Sequence, residues 1–227
     1  RIDLNRCSSP LLEIVSEPLL MSGTEAASCV RSVRALLRWV GVCAGDMEKG
    51  NLRCDVNVSV MPEDAVELGT RAELKNLNSF VSIERSVVVE TARQIDVIEG
   101  GGQVVQETRL WDQDKEVTAS MRGKEDSPDY RYFPEPDLPV VWITEDDIQQ
   151  QSGNLPEMPE DRRQRWLNEY DFPEREVVPL LSRRENGDYL ESLILEGVKP
   201  ASASNWFRGE ILKQLNEREE RIEVFPV

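Results

Sequence analysis

Two short segments of the sequence, 53–60 and 71–78, place a polar residue at almost every second position. Apolar residues fill most of the alternate positions, which is the period of a β-strand with one buried and one exposed face. The polar face of the two strands, called the polar floor below, carries Arg53, Asp55, Asn57, Ser59, Arg71, Glu73 and Lys75. Such a face either meets only water, as one side of many antiparallel sheets does, or binds a phosphate and its metal ion.

The segments around the polar floor predict the elements that position it. The loop at 62–69 contains proline and glycine, so the two strands are expected to pair as a hairpin. A Ser-x-x-Glu capping box at 22–25 predicts one helix before the hairpin, and Ser79 is a suitable N-cap for a second helix after it. The second helix has side chains recurring at helical spacing, namely Glu84, Val88, Thr91, Ile95 and Ile98.

A further strand is predicted at 103–111. The three glycines that precede it follow a helix and lack the spacing of a phosphate-binding loop, so they predict a turn. Alternation along the strand puts Glu107, Arg109 and Trp111 on one face, which would add Glu107 and Arg109 to the polar floor. Helices and strands in this arrangement predict an α+β fold.

One carboxylate interrupts an apolar, strand-like run at 10–18. Glu13 stands between Leu12 and Ile14, and in a strand it would share a face with Leu11 and Val15. A carboxylate in that position either reaches a partner or a metal ion, or lies in water at the edge of a sheet. Both interpretations remain open on the sequence alone.

Composition excludes several classes of function. The chain of 227 residues is 39% hydrophobic and carries a formal charge of -16, so it can bury a core, and it is unsuited to general nucleic-acid binding. It contains no histidine, and its four cysteines are widely separated, which argues against a zinc site and favours reduced thiols. No segment is apolar for long enough to cross a bilayer, so no membrane partner is expected. Catalysis would have to use carboxylates, amides, Lys and Arg, with a hard cation such as Mg²⁺.

The character of the sequence changes near residue 144. We expect one domain at 1–143, a polar linker at 144–154 and an all-α helical domain at 155–227, with Trp166, Leu193, Trp206, Phe207 and Leu212 in its core. Two groups of arginines could contact RNA, although such groups are more often solvated surface. They are Arg31, Arg34 and Arg38 in the first domain and Arg162, Arg163 and Arg165 in the second.

Motifs along most of the chain resemble those of the B subunits of aspartyl/glutamyl-tRNA amidotransferases. They are IDLNR (2–6), PLLEIVSEP (10–18), MEKGNLRCDVNVS (47–59), GTR (69–71), ELKNLNS (73–79), QETR (106–109), MRGKE (121–125), DYRYFPEPDL (129–138), LPEMP (155–159) and NW (205–206). The resemblance implies a catalytic domain with an antiparallel sheet like that of glutamine synthetase, followed by the helical domain. It also implies that the catalytic domain extends upstream of this chain, that a tail domain follows it, and that the chain alone is inactive.

The resemblance implies an ATP-dependent ligase reaction in which a Glu or Asp carboxylate carried by tRNA is phosphorylated and then amidated by ammonia. ATP and Mg²⁺ are the expected cofactors. Glu13 and Asp55 are the expected metal ligands, and Arg71, Arg122 and Lys124 are expected to bind the nucleotide. The expected catalytic residues are Arg53, Glu73, Lys75 and Arg109.

The same resemblance implies the partners. The A subunit would supply ammonia from glutamine, the C subunit would complete the complex, and Glu-tRNA(Gln) or Asp-tRNA(Asn) would be the substrate. The expected location is the cytoplasm of a bacterium, or a mitochondrion or plastid of a eukaryote. Two alternatives remain open, a non-catalytic homologue that docks tRNA or a partner, and a free-standing ligase that joins a carboxylate to an amine.

Overall fold

A computed structural model describes residues 11–121, 140–218, 220–222 and 225 of the chain. The first part contains α1 (Gly23–Trp39), β1 (Val56–Val58), β2 (Ala72–Lys75), α2 (Phe80–Glu99), β3 (Thr108–Asp112) and β4 (Val117–Ser120). The second part contains α3 (Glu145–Asn154), α4 (Pro159–Glu169), α5 (Glu174–Leu180), α6 (Arg184–Leu195), α7 (Pro200–Trp206), a π-helical turn (Phe207–Ile211) and α8 (Leu212–Arg218). The described part of the chain is thus an α+β structure, as predicted.

The four strands form one sheet in the order β1-β2-β3-β4. β1 and β2 pair antiparallel, with Val56 opposite Leu74, which confirms the predicted hairpin. β2 and β3 run parallel, with Glu73 beside Thr108, whereas β3 and β4 are antiparallel. The sheet is therefore mixed, and the expectation of an antiparallel sheet is wrong. β2 and β3 are parallel because α2 joins them. A helical crossover returns the chain to the same end of the sheet, so the second strand runs in the same direction as the first.

α1 and α2 pack against one face of the sheet. Their shared core includes Ala27 of α1, Ile83 of α2 and, from the sheet, Leu74 and Trp111. The main chains of the two helices come close at Gly23, where a Cβ atom would overlap the carbonyl oxygen of Glu84. The opposite face of the sheet is not covered by these helices, and it carries the polar floor.

Both predicted helix starts are confirmed. The Ser22 hydroxyl accepts a hydrogen bond from the Glu25 amide at 3.1 Å, and the Ser79 hydroxyl accepts one from the Ser82 amide at 3.0 Å. The Glu25 carboxylate accepts from the Met21 amide at 2.7 Å, one residue before the N-cap. These bonds satisfy amides that have no partner within the helix.

α2 turns its more polar side toward the protein interior. Ser82, Ser86, Glu90 and Gln94 are buried along one stripe, together with Ile83. The stripe expected from the sequence lies elsewhere, since its apolar members Val88, Ile95 and Ile98 are 60%, 41% and 45% exposed. Glu90 accepts a hydrogen bond from the Thr118 hydroxyl and Gln94 donates one to the Val58 carbonyl, both on the sheet, while Ser86 donates to the Ile83 carbonyl of its own helix. These bonds remove most of the penalty for burying the polar groups.

The second part of the chain has its own core. Trp166, Leu190 and Phe207 are fully buried there, and Leu193 and Leu212 are partly buried against them. Trp206 is 67% exposed, so its expected place in the core is wrong. Phe207 occupies the interior instead, because neighbouring side chains on a helix point about 100° apart and only one of the two can face the core.

The two parts meet at Trp39, the last residue of α1. Its indole Nε1 donates a hydrogen bond to the Glu157 carbonyl at 2.8 Å, and the Arg162 guanidinium lies 5.9 Å from the centre of its ring. The segment expected to be a linker forms α3, which has no buried residue. The division into two domains remains a prediction. No helix in the described ranges is both long and apolar enough to span a membrane.

Candidate functional site

The polar floor contains a compact cluster of three charged side chains. The Lys75 ammonium lies 2.6 Å from Oδ2 of Asp55 and 3.0 Å from Oε1 of Glu73. Alternation in β2 points Glu73 and Lys75 away from the helices, because Ala72 and Leu74 between them are fully buried. The hairpin then brings Asp55, which lies just before β1, onto the same face. Asp55, Glu73 and Lys75 therefore lie together on one face of the sheet, and their functional roles stay predictions.

Contacts within the cluster keep Glu73 and Lys75 ionised. Partial burial raises the pKa of Glu73, but hydrogen bonds from Lys75 and Thr108 outweigh it, so its pKa lies below the ordinary value. Partial burial lowers the pKa of Lys75, and bonds to Asp55 and Glu73 more than reverse that shift. At neutral pH Glu73 is therefore a carboxylate and Lys75 an ammonium.

Thr108 belongs to this site, although the sequence pattern did not indicate it. Its hydroxyl donates to Oε2 of Glu73 at 2.8 Å, while Oε1 of the same carboxylate contacts Lys75. The parallel pairing of β2 and β3 places Thr108 directly beside Glu73. Trp111 was the signal in the sequence that could have indicated this. Its large apolar ring marks the face of β3 that carries Trp111 and Arg109 as the buried face, so Thr108 belongs to the opposite face, with the polar floor.

Arg109 lies on the other side of the sheet. It is paired with Leu74 in the strand register and is 9% exposed, so its expected place on the polar floor is wrong. Its guanidinium donates to the Thr118 carbonyl at 2.8 Å and also contacts Glu107 and Glu90. The prediction failed because β3 carries polar residues on both faces, so alternation alone could not assign a side.

A buried polar network connects α2 to β3 and β4. The fully buried Glu90 carboxylate accepts hydrogen bonds from Arg93 at 2.6 and 2.9 Å, from Gln94 at 2.9 Å and from Thr118 at 2.8 Å, and Arg109 lies 3.2 Å away. Burial raises the pKa of Glu90, yet the bonds from Arg93, Gln94 and Thr118 bring it below the ordinary value. The network therefore holds the helix against the sheet through an ionised carboxylate.

We expect Glu90→Gln to reduce the free energy of unfolding by about 2–3 kcal/mol, because an amide offers one acceptor where the donors need two. Urea denaturation at neutral pH measures the change. Glu99→Gln, an exposed position at the end of the same helix, is the matched control, and its free energy of unfolding should change little.

The effect of Glu90→Gln should depend on pH. Since the folded pKa of Glu90 is depressed, the contribution of this carboxylate to stability is present above the ordinary pKa of 4.5 and is lost as the pH falls through the folded value. The difference between wild type and Glu90→Gln should therefore shrink in acid, and a constant difference would contradict this role.

The other expected site residues are less well grouped. Arg53 and Arg71 are exposed at the ends of the two strand segments, and the charge of Arg71 contributes to the lowered pKa of Glu73. Glu13 is exposed in a segment without regular secondary structure, where no described strand pairs with it. The strand-like run at 10–18 is thus not a strand over its described part, because an isolated strand has no partner for its main-chain groups. Arg122 and Lys124 lie outside the described residues.

The oxygen donors of the cluster suit a hard divalent cation. Asp55 and Glu73 provide two carboxylates on one face, and Mg²⁺ in phosphoryl-transfer sites commonly takes one or two carboxylates in addition to substrate phosphates and water. Within the described ranges, no three His, Cys, Asp or Glu side chains come close enough to hold a metal ion by themselves. The residues present therefore fit a cation shared with a phosphate, and not a closed structural metal site.

The cysteine beside the cluster does not take part as a nucleophile. Burial, the charge of Asp55 and the neighbouring Cys29 raise the pKa of the Cys54 thiol to about 11, so it is protonated at neutral pH. Cys29, Cys43 and Cys54 are all free. This agrees with the expectation of reduced thiols for the cysteines that the structure describes.

The arginines with a possible role in RNA contact fall into two groups. Arg162, Arg163 and Arg165 each form ion pairs with carboxylates, for example Arg165 with Glu157 at 2.7 Å, so their charges are neutralised within the protein. In α1, Arg31 and Arg34 lie over the ring of Phe80 at 5.0 and 5.7 Å. No ion pair within 4 Å joins Arg31, Arg34 or Arg38 to another described residue.

Comparison with known proteins gives a consistent result over the whole chain. Residues 1–149 match the family described as the GatB/GatE catalytic domain. The whole chain is 47% identical to the B subunit of the aspartyl/glutamyl-tRNA(Asn/Gln) amidotransferase of Chlorobaculum tepidum and 46% identical to that of Chlorobium phaeobacteroides, covering 48% of each. It is 46% identical to the corresponding protein of Bordetella pertussis, covering 47% of it. The chain therefore spans about half the length of the relatives that it matches.

Proposed function

Because this chain belongs to the GatB/GatE catalytic-domain family, we propose that it forms part of an ATP-dependent amidotransferase acting on aminoacyl-tRNA. Its substrate would be a Glu or Asp residue esterified to tRNA, whose side-chain carboxylate becomes an amide. The observation that carries the proposal is the cluster of Asp55, Lys75 and Glu73 on the face of the sheet that α1 and α2 leave open.

The reaction needs an activated carboxylate. A carboxylate cannot expel oxide, but transfer of the γ-phosphoryl group of ATP onto one of its oxygens creates a phosphate leaving group. Ammonia then attacks the acyl carbon, the carbon-nitrogen bond forms, and the carbon-oxygen bond to phosphate breaks. Phosphoryl transfer depends mainly on positioning and on neutralisation of charge. It requires no histidine base, which agrees with a chain that has none.

The residues of the polar floor supply those two requirements. Asp55 and Glu73 would hold Mg²⁺, and the ion when bound would neutralise phosphate charge. The Lys75 ammonium would contact the transferred phosphoryl oxygens, and its two carboxylate neighbours keep it protonated. Arg53 and Arg71, which are exposed beside this cluster, would bind the outer phosphates. Arg109 would act from behind the sheet by positioning β3, since it does not reach the polar floor.

The remaining parts of the proposal concern residues and partners beyond this cluster. Glu13 would be a further metal ligand, and Arg122 and Lys124 would bind the nucleotide. Residues 1–143 would belong to the catalytic domain and 155–227 to an all-α helical domain, joined by the segment 144–154. The protein would assemble with a glutaminase, the A subunit, which releases ammonia from glutamine, and with the C subunit. It would act in the bacterial cytoplasm, or in a mitochondrion or plastid.

The test combines the protein that carries this chain with the A and C subunits of the complex and supplies mischarged Glu-tRNA(Gln). We expect conversion to Gln-tRNA(Gln) that requires ATP and Mg²⁺ and that proceeds with either glutamine or free ammonia. Asp-tRNA(Asn) is tried in parallel. Turnover of a small free carboxylate without tRNA would favour the free-standing ligase, and complex formation without conversion of either tRNA would favour a docking homologue.

A further inference from the structure

The Lys75 ammonium lies where the polar floor offers a place to a cation. It is 2.6 Å from Oδ2 of Asp55 and 3.0 Å from Oε1 of Glu73, so it contacts one oxygen of each carboxylate. Asp55 precedes β1 and Glu73 belongs to β2, so the ammonium also links the two sides of the hairpin. A positive charge in this position offsets the repulsion between the two carboxylates.

Both oxygens of the Glu73 carboxylate already have partners. Oε1 contacts Lys75, and Oε2 accepts a hydrogen bond from the Thr108 hydroxyl at 2.8 Å. A divalent cation that takes Glu73 as a ligand therefore competes with one of these two donors. Thr108 is neutral, whereas the ammonium carries a positive charge that a divalent cation repels at short range. Lys75 is thus the donor that has to leave.

The surroundings allow Lys75 to move while the carboxylates stay. Its side chain is 38% exposed, it lies on the face of the sheet that α1 and α2 leave open, and its ammonium ends a flexible four-carbon stem. Glu73 is held more firmly, because Thr108 binds its second oxygen and β2 is paired on both sides, with β1 and with β3. Exchange of the cation therefore requires a movement of one side chain and not of the sheet.

We propose that Lys75 is a placeholder cation, the positive charge that holds Asp55 and Glu73 until Mg²⁺ takes its place. The displaced ammonium then turns to the phosphate oxygens of the nucleotide, so that each charge keeps a partner of opposite sign. Metal and nucleotide would support each other's binding, because the phosphate receives the ammonium that the metal displaces. This inference rests on the proposed function, which makes the polar floor a site for Mg²⁺ and phosphate.

The experiment measures binding of Mn²⁺, which shares the oxygen ligands of Mg²⁺, to the protein that carries this chain in the absence of nucleotide. The electron paramagnetic resonance signal of free Mn²⁺ gives the affinity. Lys75→Met keeps most of the side-chain length but removes the charge, and it should bind Mn²⁺ at least about fivefold more tightly than wild type. The same variant should lose amidation in the assembled complex, because no ammonium remains for the phosphate. A lysine with only a structural role would not produce tighter metal binding.

Two further variants show whether the gain in affinity belongs to this site. Lys115→Met removes the same charge from the turn between β3 and β4, where Lys115 pairs with Asp112 at 3.3 Å, and its Mn²⁺ affinity should equal that of wild type. Asp55→Asn/Lys75→Met lacks one of the two carboxylates and should lose the gain. Unchanged or weaker binding in Lys75→Met, an equal gain in Lys115→Met, or a gain that persists in the double variant would each overturn the proposal.

Metal binding needs no turnover, so this experiment is separable from the test of the proposed function. A gain in Lys75→Met, with no conversion of either tRNA by the wild-type complex, would reject the proposed reaction and leave the placeholder role standing. Normal conversion by the wild-type complex, with no gain in Lys75→Met, would reject the placeholder role alone.

Discussion

Asp55→Asn is expected to reduce ATP-dependent amidation by about 100-fold or more while the protein stays folded. The substitution keeps the shape of the side chain but removes the negative charge that faces Lys75 at 2.6 Å. A neutral amide is a poorer ligand for a hard cation, and charge neutralisation is the main contribution of such a site to phosphoryl transfer. The rate of Gln-tRNA formation in the assembled complex, with saturating ATP and free ammonia, measures the effect.

The matched control for Asp55→Asn is Asp64→Asn. Asp64 is exposed in the loop between β1 and β2, so the same chemical change occurs in the same hairpin but away from the cluster. Its rate should equal that of wild type. Asp55 is about half exposed in its side chain, so its replacement should leave thermal unfolding almost unchanged. Normal turnover by a folded Asp55→Asn protein would remove Asp55 from the site.

Arg162→Met is expected to lower the free energy of unfolding by about 3 kcal/mol, because it leaves carboxylates without their buried partner. Arg162 is 5% exposed, pairs with Asp188 and Glu191, and lies over the rings of Trp39 and Trp166. The decrease in the free energy of unfolding should lie at the lower end of the range for breaking a buried ion pair, because Glu191 still pairs with Arg165 at 2.7 Å. Urea denaturation of the chain, followed by tryptophan fluorescence, provides the measurement.

Arg163→Met is the control for this prediction. Arg163 is the next residue of α4 and pairs with Glu160 and Glu174, both of which have largely exposed side chains. Ion pairs with exposed partners contribute little, so this variant should lose less than about 1 kcal/mol. Equal decreases in the two variants would show that Arg162 has no special structural role and that its contacts with Trp39 and Glu191 are not important for stability.

The local elements near the site could be predicted from the sequence because their signals are local. Alternation in the two segments correctly separated Ala72 and Leu74 from Glu73 and Lys75, and hydroxyl side chains marked the starts of α1 and α2. A strand with polar residues on one face and apolar residues on the other has only one orientation that buries the apolar face. Asp55, Glu73 and Lys75 could therefore be assigned to one surface before the fold was known.

The sequence by itself thus determined the hairpin, the helix starts and the charged cluster, each of which depends on residues close together in the chain or on one clear pattern. The tertiary structure decided the parallel pairing of β2 and β3, the side on which Arg109 lies, and the role of Thr108. It also decided that α2 buries Glu90, because burial of a carboxylate becomes favourable only when distant donors such as Arg109 and Thr118 reach it. Such partners are joined by folding, and no local spacing in the sequence connects them.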